Sequence, residues 1–353
     1  MLDERTITVT AFAGAPADLR LRRTILCLVS LLVLLTVGTT ASRVAFLNHR
    51  EKSNVKHAAL LPSIGIGPNG SGLSGRAPNG TALSTGERTP AKSPAALDAQ
   101  NILLIGSDSR SAPAKTRSDI IVLVHLSNDR KKVYLVDFPR DVPVAVPGHR
   151  KDKINAAYTY GGPQLVVRTV QQLVDVRIDH VVLVSLDGLK AMTDALGGLD
   201  VYAARASSLP GGGRVHKGVN HLDGATALAF ARARPELKES DRARSGRQLA
   251  FVKALLVRSM SQTAVSNRIV LAMLMDAVIH AVTVDNAYSA DELRSHTAAL
   301  QGLPSNDVVT ISAPNAGSGT SARGSSVSVV SVPPMARLST ALRNDTMDSL
   351  SLG

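Results

Sequence analysis

Three short runs of nearly continuous apolar residues follow one another near the start of the middle third: NILLIG from Asn101, DIIVLVHL from Asp119 to Leu126, and KVYLVDF from Lys132 to Phe138. Runs of this length, rich in branched residues and bounded by turn formers, predict strands buried on both faces. Beyond them the period lengthens. Apolar positions three and four apart predict helices over Pro163 to Asp175 and Leu186 to Ala195, the second closed by Gly197-Gly198, with a strand at His180 to Ser185 between them. Asp223 is placed to cap a helix running from Gly224 toward Ala231, and helical patterns cover Arg242 to Met260, Asn267 to Ala281 and Ala290 to Gln301. The last fifty residues read as loops, one strand at Ser326 to Val332 and a terminal helix. Strands alternating with helices predict an α/β fold, an α-β-α sandwich around a central mixed sheet.

Ahead of these elements the pattern is of a different kind. TILCLVSLLVLLTVGTTAS, from Thr24 to Ser42, is nineteen residues without a charge, preceded by Arg20, Arg22 and Arg23. That is the length and flank of one transmembrane helix. A cleaved signal peptide is the alternative, since Thr39-Thr40-Ala41 loosely resembles a small-residue cleavage site, but the run is long for one. The expectation is therefore a cytoplasmic segment 1–23, an uncleaved anchor 24–46 in the cell membrane, and an extracytoplasmic remainder. Cations flank the span on both sides; the three arginines that abut it favour this orientation. Residues 47–98, rich in Gly, Ser and Pro, read as a flexible linker. The folded domain is expected over 99–262, with 263–353 a helical extension and tail of no assigned role. Cys27 is the only cysteine and lies in the apolar run, so the part beyond it has no disulfide or thiol chemistry.

The net charge of +12 is unevenly placed: +5 over residues 1–100, +9 over 101–262 and −2 over 263–353. Most of the excess falls in the middle block, which holds FARARPELKESDRARSGRQ, Phe230 to Gln248, with five arginines in nineteen residues. Guanidinium forks suit phosphate or carboxylate, though Glu236, Glu239 and Asp241 could simply pair with them on a solvated helix. Arg232 and Arg234 point the same way only if the chain there is extended, and Pro235 disfavours helix at Arg234. Asp241, Arg244 and Gln248, spaced i, i+3, i+7, fall on one face near a helix N-terminus, itself an anion site. Arg242, Lys238 and Arg247 read as surface charge. A nucleic-acid partner is disfavoured by the anchor and by only 3% aromatic residues to stack on bases.

Other candidate chemistry lies at strand ends. GSDSRSAPAKTRSD holds Asp108 and Arg110 after the first strand and Arg117 and Asp119 before the second. Two carboxylates there would suit Mg²⁺, which keeps waters and substrate phosphates as its other ligands; turn hydrogen bonds or pairing with the nearby arginines are the plainer alternative. FPRD ends the third strand and places Arg140 and Asp141 at the same edge, where sheet ligands commonly sit. KINAAYTYGG adds Lys153 and Asn155 as donors, unless Asn155 only starts a helix.

NILLIGSDSR, TRSDIIVLVHL, FPRD, KINAAYTYGG, ALGGLDV, LDGATALAFARAR and DRARSGRQ, in this order after one N-terminal span, resemble the LytR-CpsA-Psr family over roughly Asn101 to Val257. The resemblance implies a membrane-anchored, extracytoplasmic phosphotransferase that moves a glycopolymer from a polyprenyl-pyrophosphate carrier onto peptidoglycan, normally through the C6 hydroxyl of N-acetylmuramic acid. Its alternatives are a polyprenyl-pyrophosphate binder or pyrophosphatase without transfer, and a membrane-bound transcriptional attenuator. By motif, Asp108 and Asp119 match the family's Mg²⁺ carboxylates; Arg140, Arg232, Arg234, Arg244 and Gln248 match its pyrophosphate contacts; Asp241 matches the aspartate heading the last helix. Arg117 and Lys153 fall at positions implying phosphate contacts. Asp119 is the first candidate for the base that takes the acceptor proton, Asp141 the second. FPRD departs from the more usual IPRD, and nothing after about Thr263 matches.

Overall fold

The computed structural model of the chain describes residues 55–62, 89–107, 118–233, 241–320, 326–330 and 332–351. β1 (Lys56–Ala58) is followed by β2 (Gln100–Ser107), β3 (Ser118–Leu126) and β4 (Val133–Asp137), the last three at the apolar runs. Then come α1 (Ala156–Val174), β5 (His180–Ser185), α2 (Leu186–Ala195), and a ribbon of β6 (Leu199–Ala203) with β7 (Gly218–Leu222). α3 (Gly224–Arg232), α4 (Asp241–Ser259) and α5 (Arg268–Ala281) lead to β8 (Val282–Asp285), α6 (Ala290–Ala299), β9 (Val308–Ser312) and α7 (Val332–Asn344). Asp223 caps α3 as its position predicts, accepting a hydrogen bond from the Thr226 amide at 2.7 Å.

Seven strands form one mixed sheet in the order β1-β8-β5-β2-β3-β4-β9. Successive residues of each strand enter opposite cores, which is why the runs are apolar throughout. Leu103, Ile105, Leu123 and Val136 pack under α1 and α7, while Ile102, Val122, Leu135 and Val184 pack under α2, α3, α4 and α5. Each fully buried Leu or Ile contributes about 1.5–3 kcal/mol, and the result is the expected α-β-α sandwich. Packing on the second face is tight: a Cβ on Gly188 of α2 would lie 2.1 Å from that of Ala281 in α5.

Three expectations need correction. α1 begins at Ala156, not Pro163, because it is two helical pieces joined at a kink. Gly161 and Gly162 leave helical geometry there, Gly162 with φ of 63°, a value a residue without Cβ adopts at no steric cost, and Pro163 restarts the helix. The boundary at residue 262 does not hold either: β8 inserts between β1 and β5, β9 pairs with β4, and α7 covers one face. VTVD and VVTIS are too short to announce themselves as strands without the partners that bury them. Finally, Lys56–Ala58, inside the expected linker, is the edge strand pairing with β8. The expected anchor, 24–46, lies outside the described residues; among those described, no helix is long and apolar enough to cross a membrane.

Candidate functional site

β2 and β4 end, and β3 begins, at one edge of the sheet. Asp119 owes its direction there to a bulge. Gly106 faces Ile120 but Ser107 faces Ser118, which leaves Asp119 as an extra residue in β3, and such an insertion re-aims a side chain. Its carboxylate meets two guanidinium groups on one oxygen. Arg140 Nη1 donates to Oδ1 at 3.1 Å, and Nη2 of Arg244, from α4, lies 3.3 Å away.

Arg140 is held from its other side as well. Its Nε donates to Asp141 Oδ2 at 3.1 Å, and the Lys153 ammonium donates to Asp141 Oδ1. A two-residue ribbon, Pro143–Val144 against Asp152–Lys153, folds the chain back to bring Lys153 there. The Asn155 amide donates to the Arg140 carbonyl at 3.2 Å and closes that turn; Asn155 is buried before α1 without a side-chain cap. Burial pushes the Asp141 carboxyl up, but the hydrogen bond from Lys153 and the charges of Arg140 and Lys153 outweigh it and hold it below its ordinary range. Among the described residues around Arg140, three cations face the two carboxylates Asp119 and Asp141.

Arg244 and Gln248 lie one turn apart on α4, as their spacing predicts, the arginine side chain 12% exposed and Gln248 buried. Arg232 sits in the last turn of α3 and not in an extended segment; the chain leaves the helix only at Ala233, because Pro235 constrains the residue before it and no earlier one. Arg247 is not surface charge. It is half-buried and its Nη2 donates to the Ala233 carbonyl at 2.7 Å, tying the end of α3 to α4. Asp108, Arg117, Arg234 and Lys238 lie outside the described residues, as do the side chains of Asp241 and Arg242.

A further carboxylate belongs to this edge. Asp137, the last of β4, is 3% exposed, and burial pushes its carboxyl up to about 7 against the smaller effect of a hydrogen bond from Ser245 of α4. Along the neighbouring strand its register partner is Ser312, and Ser312 lines a groove of about 1110 Å³. The groove runs along α4 past Ala243, Gly246, Ala250, Ala254 and Val257, spaced three and four apart, with β6 in its opposite wall. It is lined mainly by apolar atoms and exceeds an ordinary small-molecule pocket. Lys253 reaches into it, and partial burial holds its amine below the usual lysine range. The polar site and the groove thus share one helix.

Asp119 keeps an oxygen to spare: among the described residues Oδ1 takes both arginines and Oδ2 accepts no hydrogen bond. Among the described residues, no group of three or more His, Cys, Asp or Glu is arranged to hold a metal ion. A donor set of one or two carboxylates with phosphate oxygens is the one Mg²⁺ prefers, so the residues present fit that ion.

Fold and site together define a class, the α-β-α sandwiches that present guanidinium groups at a sheet edge beside an apolar groove. The chain matches the LytR_cpsA_psr family model over residues 76–344 and belongs to that family. It is 33% identical over 192 residues to the polyisoprenyl-teichoic acid–peptidoglycan teichoic acid transferase TagU of Halalkalibacterium halodurans, covering 54% of this chain and 62% of that one. It is 34% identical over 200 residues to the probable cell wall biosynthesis protein LcpB of Corynebacterium glutamicum, covering 52% and 48%. The matches thus span about half to three fifths of these relatives' lengths. Among solved structures, TagV of B. subtilis superposes with a TM-score of 0.61 at 25% identity, covering 70% of this chain and 98% of that one.

Proposed function

We propose that the protein is a membrane-anchored phosphotransferase that moves a glycopolymer from a polyprenyl-pyrophosphate carrier to peptidoglycan outside the cytoplasm. The observation that carries this reading is Asp119 shared by Arg140 and Arg244 where α4 passes from the charged edge to the apolar groove. A carrier lipid needs both halves, cations for the pyrophosphate and an apolar slot for its chain. The named activities of the relatives support the same reading.

In the reaction, the oxygen of an acceptor hydroxyl attacks the phosphorus that bears the polymer. A phosphodiester forms, the pyrophosphate bridge breaks, and polyprenyl phosphate leaves. Arg140 and Arg244 hold the phosphate oxygens and offset the charge that develops there, joined in this role by Arg232, Arg234, Lys153, Arg117 and Gln248. Asp108 and Asp119 would hold Mg²⁺, which would supply positive charge to offset that of the phosphates. The arginines that pair with Asp119 turn to phosphate when the carrier binds, freeing Oδ1 to take the acceptor proton. Asp141, held ionised by Arg140 and Lys153, is the weaker base and serves to position them. Asp241 stands at the start of α4, beside the amides that face an anion. Residues 24–46 anchor the chain in the cell membrane.

Arg140→Ala in membranes supplied with the lipid-linked polymer is expected to lower transfer about 10²–10³-fold, and chelation of Mg²⁺ to abolish it. An unchanged rate in the variant would sink the enzymatic reading.

A further inference from the structure

We propose that the outer face of the β6–β7 ribbon, with the groove rim beside it, docks on an anionic lipid bilayer. The proposal rests on the reading above, that the groove takes a polyprenyl chain. Such a chain resides in the bilayer, and its entry into the groove without crossing water requires a groove wall to meet the membrane.

The ribbon has the chemistry for that contact. β6 turns Leu199, Val201 and Ala203 inward and leaves Tyr202 58% exposed. Its register partner across the ribbon is Val219, 71% exposed, so the outer face carries an aromatic–aliphatic pair in water. Arg205, Arg214 and Lys217 stand exposed around it. Asp200, the one acidic residue from 200 to 222, is already paired with His221 at 2.8 Å. Leu209 and Val215 are buried and fasten the intervening loop to the core, so the cations are held near the ribbon. Tyr202 and Arg205 also line the groove, and Lys253 and Arg258 line it with them.

Tyrosine is at home at the level of lipid headgroups, and lysine and arginine draw toward anionic ones. Two exposed apolar side chains are too few for the core of a stable protein interface, which buries about 800 Å² per partner. A second exposed apolar face, Ile269 and Met273 on α5, has Arg268 beside it but continues into Asp276, so it carries no cluster of cations. Charge complementarity and continuity with the groove therefore favour a bilayer at the ribbon.

The test uses the full chain with Cys27→Ser, which leaves no native cysteine. A polarity-sensitive fluorophore is attached at Tyr202→Cys or Val219→Cys, and the protein is reconstituted in vesicles of phosphatidylglycerol and phosphatidylcholine carrying a lipid-borne quencher. Emission at both positions should shift to the blue and be quenched, while the same probe at Leu97→Cys, exposed beside α7 in the opposite layer, should stay water-like. Adding Arg205→Glu with Lys217→Glu should lower the docked fraction at least tenfold. Water-like emission at 202 and 219, or quenching at Ile269→Cys and Met273→Cys in their place, overturns the docking. Polymer transfer is scored in vesicles of the same composition with the unlabelled Cys27→Ser chain. Transfer with water-like probes discards the docking and leaves the enzymatic reading standing; quenched probes without transfer support the docking and discard that reading.

Discussion

Asp137 shows what burial does to a single group. Its carboxyl lies under α4 with a hydrogen bond from Ser245, and its ordinary range is far below the value of about 7 that burial imposes. Between pH ~4 and 7 the folded chain then keeps a proton that the unfolded chain has released. Stability must fall as pH rises through that window and level off above it. Asp137→Asn keeps the shape and removes the titration. Its melting temperature should gain on the unsubstituted chain as pH goes from 5 to 8, by a margin worth roughly 3 kcal/mol at most; parallel melting profiles would show that the carboxyl is solvated. Nothing in the sequence marks this residue, which reads there as the polar end of an apolar run. Its burial comes from α4 and β9, far along the chain. Arg140, Arg244 and Gln248 were legible because each sits in a local motif. The meeting of the two arginines at Asp119 was not, since that depends on a bulge with no composition of its own.

At the scale of elements, α4 does two jobs with two faces. Arg244 and Gln248 look toward the sheet edge, while Gly246, Ala250, Ala254 and Val257 open onto the groove. The periodicity of DRARSGRQ predicts the first face correctly. It could not predict the second, because small residues on an amphipathic helix look the same whether they line a slot or meet a neighbouring helix. Ala254→Trp separates the two jobs. It fills the groove without touching the charged edge, so copurifying polyprenyl lipid and transfer should both be lost while the melting temperature stays within about 2 °C, a shift worth under ~1 kcal/mol. Full transfer with a tryptophan in the groove would mean that the lipid chain lies elsewhere. The kink in α1 is a milder lesson of the same kind: Gly161-Gly162-Pro163 signals a break, and only the structure shows helix on both sides of it.

Across the whole molecule, the sheet depends on residues distant in sequence for both of its flanks. β2, β3, β4 and β5 lie consecutively in one half of the chain, but β8 and β9 arrive from beyond residue 280 to cover β5 and β4. Without them two interior strands become edges with unpaired amides and carbonyls. Loss of α7 also uncovers Tyr134 and Val136, which pack in its core. The motifs that announce the site all fall before Val257, so a chain ended after residue 262 retains every residue proposed to handle phosphate. If those residues formed an autonomous unit, it would melt cooperatively and bind the carrier lipid. The sheet argues the reverse: such a chain should lose cooperative melting and be cut rapidly by protease within β4 and β5, while the full chain resists. Cooperative unfolding of the shortened chain at the melting temperature of the full one would show that β8, β9 and α7 decorate a finished fold. Transfer activity should disappear with cooperativity, although no residue placed at the reacting phosphates has been removed, because Arg140 and Arg244 are brought to Asp119 only by a sheet whose two flanks are closed.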